Sequence, residues 1–122
     1  NASVSSGAWN NAANWSGGQI PNAAGDVARF TTPPRTTYAA SLPEDVTLGK
    51  LIFEHAIRSV SVQGPAALTF DNPGAAAAEI QFSTSTSTAS NTISAPIRIA
   101  DAEGLAVDVG RGKTLLLSNG IA

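Results

Sequence analysis

Large apolar residues recur in this chain at every second position, in stretches of only four or five residues. "VARF" (27–30), "KLIFE" (50–54), "SVSVQ" (59–63) and "ALTFD" (67–71) read this way, and so do "EIQFS" (79–83), "PIRI" (96–99), "LAVDV" (105–109) and "TLLLS" (114–118). A period of two sends alternate side chains to one face, as a half-buried strand requires. No apolar stripe of period 3.6 lasts three turns, and the Ala-rich run "GAAAAEI" (74–80) is short and follows Pro73. Turn-forming residues punctuate the strands: "GP" at 64, "DNPG" at 71, "DAEG" at 101 and "GRGK" at 110. The pattern predicts an all-β chain.

Spacing narrows the class. The first large residues of successive units fall at 51, 60, 68, 80, 97, 107 and 115. The one wide gap holds "STSTSTASNTI" (83–93), whose threonines suit an exposed polar strand. Evenly spaced short strands fit a sandwich, a barrel or a solenoid. A sandwich favours tight Asn-Gly hairpins, and the only such pair here is Asn119-Gly120. The expectation is therefore a right-handed parallel β-helix, or solenoid, three strands to a coil. Leu51, Phe53, Val60, Val62, Leu68, Phe70, Ile80, Phe82, Ile97, Ile99, Val107, Val109, Leu115 and Leu117 then stack in columns inside it. It is one domain, with an N-terminal cap segment over 1–25 and coils over 26–122.

Both tryptophans lie in the opening stretch "GAWNNAANWSGGQIPN" (7–22). A parallel solenoid exposes its core cross-section and a row of unpaired strand edges at its first coil, so terminal segments must differ and act as caps. Trp9 and Trp15 have the bulk to cover that core, while the surrounding Asn, Gly and Ser satisfy the backbone locally. The other reading makes the indoles a sugar platform, with Trp9, Trp15, Asn14 and Gln19 as ligand-binding residues.

The order of the motifs adds a resemblance. The opening "WNNAANWSGGQIPNAAGDVARF", the phrase "VTLGKLIFE" and the run "ISAPIRIADAEGLAVDVGRGKTLLLSNGIA" follow one another across nearly the whole chain. In that order they resemble the N-terminal part of autotransporter passenger domains and related secreted solenoids built from the autotransporter-associated β-strand repeat. The resemblance implies an extracellular or cell-surface β-solenoid with no shared catalytic residues. Family chains continue through many more Gly-rich repeats beyond the coil matching "TLLLSNG". The expected partners are accordingly downstream coils of a longer chain, or further copies of this one as a homo-oligomer or polymer.

Composition changes this picture little. The formal charge of −2 argues against a nucleic-acid partner, which demands a basic face. Charged residues make up 13%, about half the usual ~25%, so surface polarity rests on Ser, Thr, Asn and Gln. Cysteine and methionine are absent, which excludes disulfides and thiolate metal sites. No apolar run approaches the ~20 residues of a membrane helix. The opening "NASVSS" has the small polar character of a mature chain after signal removal.

Candidate chemistry is sparse. Glycoside hydrolysis needs two facing carboxylates, yet most of the acids sit in turn-like contexts where they serve as turn formers. Asp26 is expected to shape a turn and to pair with Arg29. His55, the only histidine, follows Glu54 in a strand, where neighbours point to opposite faces. Calcium ligation through Asp71, Asn72, Asp101 and Glu103 lacks the rhythm of known calcium loops. "GRGKT" (110–114) lacks the full phosphate-loop pattern and reads as a turn. The sequence thus predicts no catalytic residues, no metal and no cofactor. The expectation is a non-enzymatic structural or adhesive element that self-associates into fibres through exposed strand edges. The alternative is a carbohydrate-binding module of an extracellular polysaccharide-degrading protein, with a glycan as ligand.

Overall fold

The computed structural model describes residues 7–30, 38–54, 60–82, 90–110 and 113–121. Its strands are β1 (Gly7–Ala8), β2 (Val27–Phe30), β3 (Tyr38–Ser41), β4 (Val46–Leu48), β5 (Lys50–Phe53) and β6 (Val60–Gln63). They continue as β7 (Leu68–Phe70), β8 (Ala78–Phe82), β9 (Ser90–Ile93), β10 (Ile97–Ile99), β11 (Leu105–Val109) and β12 (Thr114–Leu117). Two single 3-10 turns, Ala12–Asn14 and Ser16–Gly18, interrupt the opening segment. The described chain is all-β, as the alternation predicts.

From β3 onward, consecutive strands fall in three different sheets. The first sheet has the order β1-β3-β6-β9-β12, the second β10-β7-β4 and the third β11-β8-β5-β2. Every ladder in them is parallel. Each strand from β3 on therefore lies beside the third strand before or after it, the arrangement a parallel β-helix requires. Pairings keep register from rung to rung: Ala28 with Leu51, Leu51 with Ile80, and Ile80 with Val107. Parallel pairing needs a crossover rather than a hairpin, and here the other two sheets provide it. Among the described residues no two consecutive strands pair as a hairpin, which follows from that.

Alternation fills one core from three sides. Ala40, Val60, Val62 and Ile93 point inward from the first sheet. Val46, Leu48, Leu68, Phe70 and Ile97 come from the second, and Ala28, Phe30, Leu51, Phe53, Ala78, Ile80 and Phe82 from the third. Each large side chain so buried contributes about 1.5–3 kcal/mol. The core list read from the alternation holds for Leu51 through Ile97. It fails at the last rung, where Ile99, Val107 and Val109 are exposed and Leu115 and Leu117 are only partly buried.

Corners are tied by side-chain oxygens that accept backbone N–H groups from the neighbouring rung. Asn22 Oδ1 accepts from Thr47, Asp45 Oδ1 from Ala67 and Asn91 Oδ1 from Val60, each at 2.8 Å. Asp101 Oδ2 accepts from Asn72 at 2.9 Å and Ala78 at 3.0 Å. A charge-assisted bond to a backbone N–H is stronger than a neutral one, so the two aspartates are the firmest of these ties. Close approach also governs one corner. A Cβ on Gly49 would lie 2.6 Å from Gly25 Cα and 2.8 Å from Asn72 Oδ1, so only glycine fits there.

Some expectations need correction. Asp26 does not pair with Arg29: its Oδ2 accepts the N–H of Asn22 at 3.1 Å, and Arg29 Nη1 bonds Glu54 Oε1 at 3.0 Å. Arg29 is in register with Ile52 on the adjacent rung, two residues before Glu54, which brings the two side chains together across the rungs. The polar strand expected over 83–93 is found at Ser90–Ile93, and 83–89 lie outside the described residues. His55 lies outside them as well.

Candidate functional site: a filled end and an open rung

The opening segment places both indoles on the outermost ring of the core. Trp9 is 1% exposed and Trp15 3%. Their ring centroids lie 4.8 Å apart at 59°, and each sits about 6 Å from the Phe30 ring, at 6.1 and 6.0 Å. Polar ends are satisfied internally: Trp9 Nε1 donates to Pro21 O and Trp15 Nε1 to Trp9 O, both at 2.8 Å. Burying an indole without such a partner would forfeit much of its gain.

Local chemistry explains how so short a segment holds two large rings. Asn11 Oδ1 accepts the Ala13 N–H and starts the first 3-10 turn, as an N-cap asparagine does. Asn14 is buried and donates through Nδ2 to Ala8 O at 2.9 Å. Gly17 and Gly18 then turn the chain at φ +79° and +70°. The Trp9 N–H donates to Ser41 O at 2.8 Å and fastens the segment to β3.

Of the four residues proposed from sequence to meet a ligand, three are thus turned into the protein. Only Gln19 is exposed. Stacking a sugar needs an open ring face, and neither indole has one in this arrangement.

From Phe30 an aromatic column runs through the third sheet. Phe30 stacks on Phe53 at 5.7 Å and 14°, Phe53 meets Phe82 edge-on at 5.8 Å, and Lys113 Nζ lies 6.0 Å from the Phe82 centroid. The next position in register is Val109, which is 38% exposed. Val107, continuing the column of Ala28, Leu51 and Ile80, is 45% exposed. Ile99, Leu116 and Ile121 are exposed as well. Strands β10, β11 and β12 each stand at a sheet edge, so among the described residues the outer side of each is unpaired except where Ile121 meets Ile97. Ile121 bridges Ile97 and begins a further rung of the second sheet.

Several acidic groups are engaged in structure. Asp101, buried at its corner, takes the Glu103 N–H on Oδ1 at 2.8 Å besides the two bonds to Oδ2. The Glu103 N–H lowers its pKa most. Partial burial opposes this, the Asn72 N–H, the Glu103 side chain and the Ala78 N–H add to it, and the carboxyl ends below its ordinary value of 3.8. Of the residues weighed for calcium, Asp101 thus serves three backbone donors and Asn72 Nδ2 donates to Ala76 O at 3.1 Å. Glu54 meets Arg29 at 3.0 Å and Glu79 meets Lys50 at 3.2 Å on the outer face of the third sheet. Among the described residues no three His, Cys, Asp or Glu gather as metal ligands, and no helix is long and apolar enough to cross a membrane.

Sequence reasoning did not foresee Asn91, whose side chain is wholly buried with Nδ2 unpartnered among the described residues. Its place in "STASNTI" shows only a polar residue in a polar run. No protein-family model, curated protein or solved structure matches this chain.

Proposed function

We propose that this chain is a non-enzymatic structural element: a right-handed parallel β-solenoid, closed at one end by a tryptophan cap and built to receive another rung at the other. The right-handed sense follows the strong preference of parallel crossovers. The single observation that carries the reading is the contrast between the two ends. Equivalent inward positions are filled and dry beside Trp9 and Trp15, and open at Val107 and Val109. An open edge of parallel strands above an apolar core is a template for strand addition.

The added rung comes from further coils of the same kind or from another copy, which makes the chain a unit of an extended or fibrous assembly. The motif order shared with autotransporter-type passengers supports an extracellular or cell-surface setting. The commitment of Asp26, Asp45 and Asp101 to backbone donors and of Glu54 and Glu79 to ion pairs supports a scaffold rather than a hydrolase.

Sedimentation of the 122-residue chain over a rising concentration series tests this. The expected result is concentration-dependent association that disappears when Val107→Lys and Val109→Lys place charge over the open columns, with tryptophan emission unchanged. A monomer at every concentration overturns the self-associating reading. Quenching of the buried indoles by soluble oligosaccharides would instead favour a carbohydrate-binding module.

A further inference from the structure

We propose that Asn91 selects the register of β9 on β6. Its buried amide admits the observed pairing and penalises one shifted by two residues that the neighbouring sequence otherwise permits. Strand β9 lies between β6 and β12 inside the stack, so this choice does not depend on what the chain assembles with.

The ladder between β6 and β9 is short: Ser61 pairs with Thr92 and Val62 with Ile93. One step earlier Val60 stands opposite Asn91, and there the Val60 N–H donates to the side-chain Oδ1 of Asn91 at 2.8 Å. Asn91 is 0% exposed with Nδ2 unpartnered, and among the described residues it is the only buried polar residue of the first sheet. An amide with one end unmet is a poor way to add stability. The best-attested use of such a buried polar group is to fix a register.

Little else specifies this one. A shift by one residue turns Ser90 and Thr92 into the core, so the apolar pattern excludes it. A shift by two keeps the alternation, and the Ser-Thr repeat over 83–88 that precedes β9 in the sequence offers no distinguishing residue. Corner lengths permit the shift in one direction. Val62 and Leu68 have five residues between them, 63–67, whereas their register partners Ile93 and Ile97 have three, 94–96. Moving Asn91 to the place of Ile93 leaves five, 92–96, the number the neighbouring rung already uses. The opposite shift leaves Pro96 alone between Ala95 and Ile97, too little to turn a corner.

In the permitted shift Ala89 takes the place of Asn91, and the amide moves into the ladder opposite Val62. Backbone N–H and C=O groups there pair with one another, so both ends of the amide lie buried without a partner, the costly case. In the observed register Oδ1 is satisfied. One acceptor thus separates the two pairings.

The chain has no cysteine, so pairs of introduced thiols report register cleanly. Neighbouring strands lie about 4.8 Å apart, within reach of a disulfide, and Ser61 and Thr92 are such neighbours. Ser90 is two residues away along β9, about 8 Å from Ser61, and out of reach until the strand shifts. On mild oxidation of dilute protein, Ser61→Cys with Thr92→Cys is expected to lose its free thiols, and Ser61→Cys with Ser90→Cys to keep them. Adding Asn91→Leu is expected to raise closure of the second pair about tenfold, the change in population that one buried hydrogen bond supports. Adding Asn91→Asp instead, which keeps the Oδ1 acceptor, is expected to close the first pair alone. Closure of the first pair alone with Asn91→Leu overturns the proposal, and so does closure of both with Asn91→Asp. Loss of both bridges with red-shifted tryptophan emission in Asn91→Leu overturns it as well, since the amide then supports the fold rather than its register.

Discussion

Ala28 and Val107 occupy the same column of the third sheet, three rungs apart, yet Ala28 is fully buried and the larger, more apolar Val107 is not. Phe30 and Val109 make the same comparison in the next column. Inward direction is set by the strand's pleat, but burial is conferred by the rung that follows. At the tryptophan end two indoles and a run of turns substitute for that rung. At the other end nothing in the described structure does. The two ends of one core therefore differ in what lies over them, not in residue type.

The largest expected effect breaks the filled end. Trp15→Ala removes a ring in contact with Trp9 and Phe30 and should cost about 3–5 kcal/mol, read as a lower denaturation midpoint. Val109→Ala at the open end should cost no more than about 1 kcal/mol, and the gap between the two measures the asymmetry directly. Equal losses would refute it.

Gly49→Ala sharpens the comparison from the middle of the stack. Its Cβ would meet Gly25 Cα and Asn72 Oδ1 at 2.6 and 2.8 Å, forcing apart the corner beneath the opening segment. A loss of about 1–3 kcal/mol is expected, together with a red shift of tryptophan emission. An unchanged midpoint would show that the corner yields.

Asp101 probes the last complete rung. Its folded pKa lies below the ordinary 3.8, so it stabilises the fold at all pH values above that figure. The contribution is lost as pH falls from 3.8 through the lower folded value, because the protonated carboxyl no longer attracts three N–H donors as an anion. Asp101→Asn should lower stability at neutral pH and flatten its dependence in that acid window. Parallel stability curves for the two proteins below pH 3.8 would contradict the assignment.

The smallest effect is expected on the outer face. Glu54→Gln breaks the 3.0 Å pair with Arg29, whose side chain is 46% exposed, and solvent screening limits the loss to under about 1 kcal/mol. That loss should vanish in high salt.

What the sequence revealed followed side-chain size. Strands whose inward residues are large, as in "VSVQ", "LTF" and "EIQF", are legible because alternation is strong. Strand β3, "YAAS", was missed because its inward residue Ala40 is small beside an equally small Ala39. Strand β4, "VTL", was missed because it merges through Gly49 into "KLIFE", and no turn signal announces the change of sheet. At the site, the bulk of Trp9 and Trp15 was apparent and their hydrogen bonds were not, since Pro21 O and Trp9 O are backbone acceptors that carry no signature in the chain. Asn91 shows the same limit. An amide that replaces a ladder bond looks like any other polar residue until the strand beside it is known.

The way the opening segment is fastened bears on when it can form. The Trp9 N–H donates to Ser41 O, Asn22 Oδ1 takes the Thr47 N–H, and the Gly25 N–H donates to Asp71 O. Those acceptors and donors are synthesised later than the indoles they secure. The segment that bears the indoles leaves the ribosome before the residues that fasten it, and chain growth must pass Asp71 before these bonds are all in place. Until then two large apolar rings lack the partners that bury them in the finished fold.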